Sequence, residues 1–368
     1  MKDEIVERML DLAIAIQQIP APTFEEGERA EFVSGRFLEA GLQDVSVDEA
    51  GNVLARLPGA DAPPLVVSAH LDTVFARGTN LRLTRGPERI HGPGIGDNSM
   101  GVAALLGLAW TLRERGTFGL PGDIWFVADT GEEGLGNLRG MKSVVGRFGA
   151  QVTGYLILEG MALGHIYHRA VAVQRYRVSA QTAGGHAWSD YGQPSAVHEL
   201  AALTAKIASL QLPPIPRTTL NVGKIAGGTS INTVAAESSL ELDMRSESPQ
   251  ALAELVSRVD ALIETANRPG VRVEAESIGH RPGGSIPAEH PLIRLAVACS
   301  RAQGIEPSLI GGSTDANLPL SRGLPALVMG VTTGGGAHTL GEFVDVEPVA
   351  RGMGALEEFV SKVFSDQW

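Results

Sequence analysis

The sequence predicts an α/β fold, a mainly parallel-sheet domain into which a ferredoxin-like α+β domain is inserted. Two observations carry this prediction. Apolar runs at residues 52–57, 65–69, 123–128, 155–158 and 324–331 are mostly continuous rather than alternating, which suits strands covered on both faces. From about residue 170 to 280 the pattern changes to strand 172–180, helix 195–210, a Pro-rich link 211–217, strands 218–225 and 233–245, helix 251–267 and strand 271–277. That β-α-β-β-α-β order is the split βαβ arrangement. The α/β pattern then resumes with helix 291–303 and strand 324–331. Residues 1–169 and 281–368 are therefore expected to form one discontinuous domain, with 170–280 as the insertion.

The remaining elements follow from local signals. Ile5, Met9, Leu12 and Ile16 recur at helical spacing over residues 5–18, and Ile19-Pro20-Ala21-Pro22 stops that helix. A second helix is expected to start at Thr23, its hydroxyl as the cap and Glu26 completing a T-x-x-E capping box. A third, residues 101–115, is almost wholly apolar and is closed by Gly116.

Composition narrows the function classes. With Cys299 the only cysteine, an intrachain disulfide, a Cys-rich zinc finger and an iron–sulfur cluster are excluded, so any metal must be held by His, Asp and Glu. A net charge of −12 repels nucleic acid and anionic membranes. The longest apolar run, residues 101–112, falls short of the ~20 residues that span a bilayer. The acidic opening Met1-Lys2-Asp3-Glu4 lacks the build of a secretory signal, so a cytoplasmic location is expected.

The polar residues that matter sit where buried strands end. Strand 65–69 runs into His70-Leu71-Asp72, strand 123–128 into Asp129-Thr130-Gly131-Glu132-Glu133, and strand 155–158 into Glu159. Carboxyl ends of parallel strands are where open α/β sheets form their functional crevice. Asp97, just before a helix, and His338, in a Gly-rich loop, complete a group of two imidazoles and three carboxylates beside a spare acid. Carboxylates crowded in a low-dielectric crevice repel one another and take up protons, a conflict that a pair of divalent cations removes. Two such ions polarise a carbonyl and acidify water, and a carboxylate beside them can take the proton. Singly, each residue also has a structural reading: His70 as a hydrogen-bonded core histidine, Asp97 as a helix cap, Glu132 and Glu133 as helix N-terminal acids. Their convergence favours the metal reading. Ser313 lacks a G-x-S-x-G elbow, and Gly92-Pro93-Gly94-Ile95-Gly96 fits no phosphate-loop pattern. His91, His165, His168, His198, His280 and His290 are read as surface or structural.

In order, the motifs resemble the M20 family of zinc peptidases and amidohydrolases across essentially the whole chain. Ile19-Pro20-Ala21-Pro22-Thr23 is similar to the family's I-P-S-x-S, His70-Leu71-Asp72-Thr73-Val74 to H-x-D-T-V, Glu132-Glu133-Gly134 to E-E-x and His338-Thr339-Leu340-Gly341-Glu342 to H-x-x-x-E. The length of Asp97-Asn98-Ser99-Met100-Gly101 and the stretch 160–170 resemble the tripeptidase T-like subgroup, although Glu159 stands where that subgroup often has Asp. The resemblance implies a dinuclear-zinc catalytic domain, one ion on His70, Asp97 and Glu159 and the other on Asp97, Glu133 and His338, with Asp97 bridging. Zinc is the implied metal, with cobalt or manganese as alternatives. Glu132 would be the general base, and Asp72 would hydrogen-bond the His70 ring.

Within the insertion, Gly184-Gly185-His186-Ala187, Gly227-Gly228-Thr229-Ser230-Ile231-Asn232 and Asp243-Met244-Arg245 resemble the family's substrate segments. His186 would polarise the substrate carbonyl, Asn232 would contact the tetrahedral intermediate and Arg245 would bind a carboxylate by its fork. Arg245 could equally pair with Asp243 or Glu247. Gly311-Gly312-Ser313-Thr314-Asp315 resembles a substrate loop, acting through its backbone more than its side chains.

The implied reaction is hydrolysis of a di- or tripeptide, with an N-acyl amino acid deacylase and an inactive ligand-binding member of the fold as alternatives. The expected partners are a small substrate and a second subunit met through the insertion, a lid or dimerisation domain that supplies His186 by closure or in trans. Neither nucleic acid nor membrane is an expected partner.

Overall fold

A computed structural model describes residues 3–114 and 119–365. It divides into two compact units, Met1–Ala170 with Ser285–Trp368, and Val171–Gly284.

The first unit opens with helices α1 (Asp3–Gln17) and α2 (Gly27–Glu39), followed by strands β1 (Gln43–Val47), β2 (Val53–Leu57) and β3 (Ala62–His70). Helix α3 (Gly101–Glu114), β4 (Gly122–Asp129), α4 (Arg139–Phe148), β5 (Gly154–Glu159) and β6 (His165–Ala170) complete its first part. After the insertion come α5 (Pro291–Ala302), β7 (Ser308–Gly312), β8 (Ala326–Gly330) and α6 (Val349–Lys362). The strands lie in the order β1-β2-β4-β3-β5-β8-β6, with β7 on β6. β4, β3, β5 and β8 run parallel, while β1, β2 and β6 join antiparallel. The parallel core thus lies where the continuous apolar runs predict it.

Helix α3 is buried from Gly101 to Leu112 because it lies between the sheet and helices α1 and α6. That explains why its sequence shows no polar face. Leu105 and Leu108 are fully inaccessible, each worth about 2 kcal/mol of apolar transfer. The expected closure at Gly116 lies outside the described residues.

Parallel pairing in register brings the strand ends to one edge. His70 is opposite Asp129, and Glu159 is opposite Gly330. A small antiparallel sheet of Gly334–Gly335, Phe343–Asp345, Arg89–His91 and Thr84–Arg85 frames the loop that carries His338.

One expectation fails at the second helix. It starts at Gly27, not Thr23, and its N-cap residue Glu26 makes no side-chain cap bond. Phe24 takes φ 78°, which breaks the helical path, and the Glu26 carboxylate accepts from the Phe24 N–H at 3.0 Å. The Thr23 hydroxyl donates instead to Asp72 Oδ2, at 2.8 Å.

In the second unit, strands Thr218–Gly227, Glu237–Ser246, Ala172–Thr182 and Val271–Arg281 form an antiparallel sheet in that spatial order. Helices Ala196–Ala208 and Pro249–Ala266 pack on it. Along Glu237–Ser246 buried and part-exposed residues alternate, the pattern of a sheet covered on one face. Leu240, Leu242, Met244, Val178 and Val273 meet Leu200, Leu203, Leu255 and Val259 in its core. The single strand expected over 233–245 is two pieces: Thr233–Val234 pairs with Gly185–His186, and the sheet strand begins only at Glu237.

Candidate metal centre

The centre is assembled around Asp97. Its Oδ1 lies 3.1 Å from His70 Nε2 and its Oδ2 lies 3.1 Å from His338 Nε2. Each of these nitrogens also faces a further carboxylate: Glu159 Oε2 is 3.8 Å from His70 Nε2, and Glu133 Oε1 is 3.2 Å from His338 Nε2. These are the five residues expected as ligands, gathered into two trios that share one aspartate.

Whether two cations fit is a question of spacing. With bonds of ~2.0–2.2 Å, tetrahedral ligand atoms on one zinc lie about 3.4 Å apart. The observed contacts bracket that value. One ligand atom each from His70, Asp97 and Glu133 lies within 4.8 Å of the others. The His70 ring is also set in the required tautomer, since its Nδ1 donates to the Asp72 carbonyl at 3.0 Å and leaves the Nε2 lone pair for a cation.

Electrostatics point the same way. Burial works against charge on His70, but the carboxylates of Asp72 and Asp97 outweigh it and raise its pKa well above the ordinary value. Hydrogen bonds donated by its ring to the carboxylates of Asp97 and Glu133 bring His338 to about 10. Burial pushes Glu159 well above the usual carboxylate range. Two imidazolium protons thus stand in for the positive charge this acidic cluster requires.

The surrounding residues hold the candidate ligands in place. Asp72 is fully buried, and its carboxylate accepts the backbone N–H groups of Glu132 and Glu133, at 3.0 and 2.9 Å, besides the Thr23 hydroxyl. Its Oδ1 is 3.5 Å from His70 Nδ1. The expected Asp72–imidazole bond is therefore made by the backbone carbonyl, while the carboxylate anchors the glutamate pair. Glu132 itself is nearly buried beside that anchor.

Several contributors were not assigned a role from sequence. The Glu342 carboxylate accepts from the N–H groups of Gly94, Gly96 and Asp97 at 3.0, 2.7 and 2.8 Å, fixing the loop that presents Asp97. Its place in the H-x-x-x-E motif was the available signal. Asn98 spans the end of β5, donating to Leu158 O at 2.8 Å and accepting from Gly160 N at 3.0 Å, and so brackets Glu159. Arg29, the one buried Arg or Lys among the described residues of this unit, donates to Leu71 O at 2.7 Å and to Ile19 O. Burial lowers its pKa to about 10, with Asp72 acting in opposition, so it stays charged at neutral pH.

Asp129 and Asp315 are the most unusual pair. Both are fully buried, and none of their four oxygens meets an N–H or hydroxyl donor. They face each other. Burial raises Asp129 to about 7 and, together with the Asp129 charge, raises Asp315 well above the ordinary range. Asp315 thus adds a buried side chain in a loop expected to act through its backbone more than its side chains.

In the second unit, His186 and Asn232 come together and Arg245 does not join them. The Ala187 N–H donates to the Asn232 carbonyl at 2.9 Å, and His186 pairs with Thr233. His186 Nδ1 accepts from the N–H groups of Trp188 and Ser189, at 3.2 and 3.3 Å, so the ring carries its proton on exposed Nε2. Arg245 lies opposite Val173, at the far end of a strand whose near end, Glu237, lies opposite Gln181. Its guanidinium is held by Asp243 at 2.7 and 3.2 Å, the pairing that sequence left open.

A parallel sheet with His70 at a strand end, His338 brought to it from a loop, one carboxylate between them and a buried glutamate pair alongside has the make-up of a metal-dependent hydrolase. The chain belongs to peptidase family M20/M25/M40, which it matches over residues 66–362. It is 25% identical over 368 residues to a protein of Mycobacterium tuberculosis described as a putative succinyl-diaminopimelate desuccinylase, covering 95% of this chain and 97% of the other. A tripeptidase from Staphylococcus aureus has a similar structure, with TM-score 0.81, 24% identity and coverage of 97% and 98%. The Bacillus subtilis protein YXEP, described as a dinuclear metal-binding M20 peptidase, aligns with TM-score 0.70 and 16% identity over 98% and 99%. Among the described residues no helix is long and apolar enough to cross a membrane.

Proposed function

We propose that this member of the peptidase/amidohydrolase family hydrolyses the amide bond of a di- or tripeptide at a centre of two divalent cations, zinc in the first instance. The observation that carries this reading is the Asp97 carboxylate, with one oxygen directed to the Nε2 of each histidine and a further carboxylate facing that same nitrogen. His70, Asp97 and Glu159 would hold one ion, and Asp97, Glu133 and His338 the other. When bound, the ions polarise the scissile carbonyl and lower the pKa of water.

The chain's own groups do the rest. Glu132, its backbone fixed through Asp72, takes a proton from the attacking water and returns it to the departing amine. His186 would offer an Nε2–H donor to the carbonyl oxygen, and Asn232, just before the strand that pairs with His186, accepts from the Ala187 N–H. Arg245 would reach a substrate carboxylate only by exchanging Asp243 for it.

A second reading, an N-acyl amino acid deacylase, is favoured by the likeness to the putative desuccinylase. One experiment separates the two. Metal-stripped protein is reloaded with Zn²⁺, Co²⁺ or Mn²⁺ and offered di- and tripeptides and N-acyl amino acids, beside Glu132→Ala. Peptide cleavage that needs metal and falls by three or more orders of magnitude in the variant supports the proposal. Cleavage of acyl amino acids alone supports the second reading, and turnover of nothing by fully loaded protein overturns both.

A further inference from the structure

The metal centre leaves one polar group on its rim without a task. Tyr167, on β6, lies opposite Val328 of β8, which lies opposite Ile157 of β5. Alternation along a strand then puts Tyr167 on the same sheet face as Ile157 and, two residues further along β5, Glu159. The same reasoning through Ser68, opposite Ile157, places His70 on that face. Tyr167 therefore stands on the ligand-bearing face, two strands from Glu159.

Its ring has a seat that depends on a glycine. A Cβ on Gly312 would lie 2.7 Å from Tyr167 Cδ2 and 2.8 Å from Cε2, so the aromatic edge fits only because that position has no side chain. The ring is half-buried against the core of the unit. Among the described residues its hydroxyl has no hydrogen-bond partner. Burial, then the charges of Glu159 and Asp97, raise its pKa, so it remains a neutral O–H donor at any working pH. A neutral donor on the ligand-bearing face, its ring seated against Gly312, has no structural bond to keep.

The geometry points to Tyr167 as a substrate-binding residue, its hydroxyl donating a hydrogen bond to an oxygen of the bound amide or carboxylate on the Glu159 side of the centre. This rests on the hydrolase reading above, and it adds a contact supplied by the metal-bearing unit itself.

The test is a double-mutant cycle on metal-loaded protein with the best substrate found. Tyr167→Phe keeps the ring and removes the donor; it should lower kcat/KM about tenfold with Tm and metal content unchanged. Gly312→Ala keeps the hydroxyl and displaces the ring; it should cost a similar factor in wild type and nothing further in the Tyr167→Phe background. A Tyr167→Phe enzyme with kcat and KM within twofold of wild type on every substrate overturns the proposal, as does a Gly312→Ala penalty equal in both backgrounds. If wild type cleaves no amide, calorimetric titration with dipeptides and N-acetyl amino acids decides: weaker binding by Tyr167→Phe retains the donor while the hydrolase reading falls, and no difference between the two overturns the donor.

Discussion

Glu342 shows how much of the candidate centre's order lies outside its five clustered His and acidic residues. One carboxylate gathers three backbone N–H groups of the Asp97 loop, so Glu342→Ala leaves three donors, two of them buried, unpaired and the loop that presents Asp97 unsupported. We expect a 10–100-fold loss of zinc affinity in chelator competition, with Glu342→Gln intermediate. The Asp129–Asp315 pair makes a pH prediction for the metal-free protein. An unfolded carboxyl loses its proton near 4, whereas Asp129 retains its proton to about 7 when folded. The folded state therefore binds more protons across that window, and stability falls as pH rises from 4 through 7. Asp315→Asn removes one acid and supplies an amide donor to the other, so its Tm should drop less than that of wild type between pH 5 and 8. Equal slopes in thermal melts would contradict this account.

At the scale of elements, what could be read in the sequence is what repeats locally. Continuous apolar runs ending in His70, Glu133 and Glu159 exposed both the parallel sheet and its working edge, because strand and polar terminus are adjacent in the chain. Thr23 misled, since a T-x-x-E string has the same appearance whether the hydroxyl caps a helix or, as here, bonds an aspartate 49 residues away. Asn98 and Arg29, and the pairing of Asp315 with Asp129, went unread for the same reason: the partners are distant in sequence, and no spacing rule points to them. Close approach of backbones is equally invisible. A Cβ on Gly330 would lie 1.9 Å from Ala162 C and Leu163 N, which only displacement of the loop after β5 could relieve. Gly330→Ala should destabilise the fold by about 3 kcal/mol or more in denaturant titration and weaken metal binding through Glu159, its register partner.

For the whole molecule, the cluster's protonation couples folding, metal and pH. Because the imidazoles of His70 and His338 hold protons that cations must displace, metal loading should release at least one proton per chain at pH 7, and affinity should rise with pH. Calorimetry in buffers of different ionisation enthalpy counts those protons, and a buffer-independent heat would refute the coupling. The strand order has a further consequence, which concerns time. β8 lies between β5 and β6 in the sheet, yet it is synthesised only after the whole of Val171–Gly284, and His338 later still. On the ribosome the inserted unit, continuous in the chain, can complete its own sheet while its host waits with an open gap at the centre. The nascent chain thus gains the last of the five candidate ligands only after the whole insertion and β8 have been made, so the two trios around Asp97 cannot both assemble before His338 emerges.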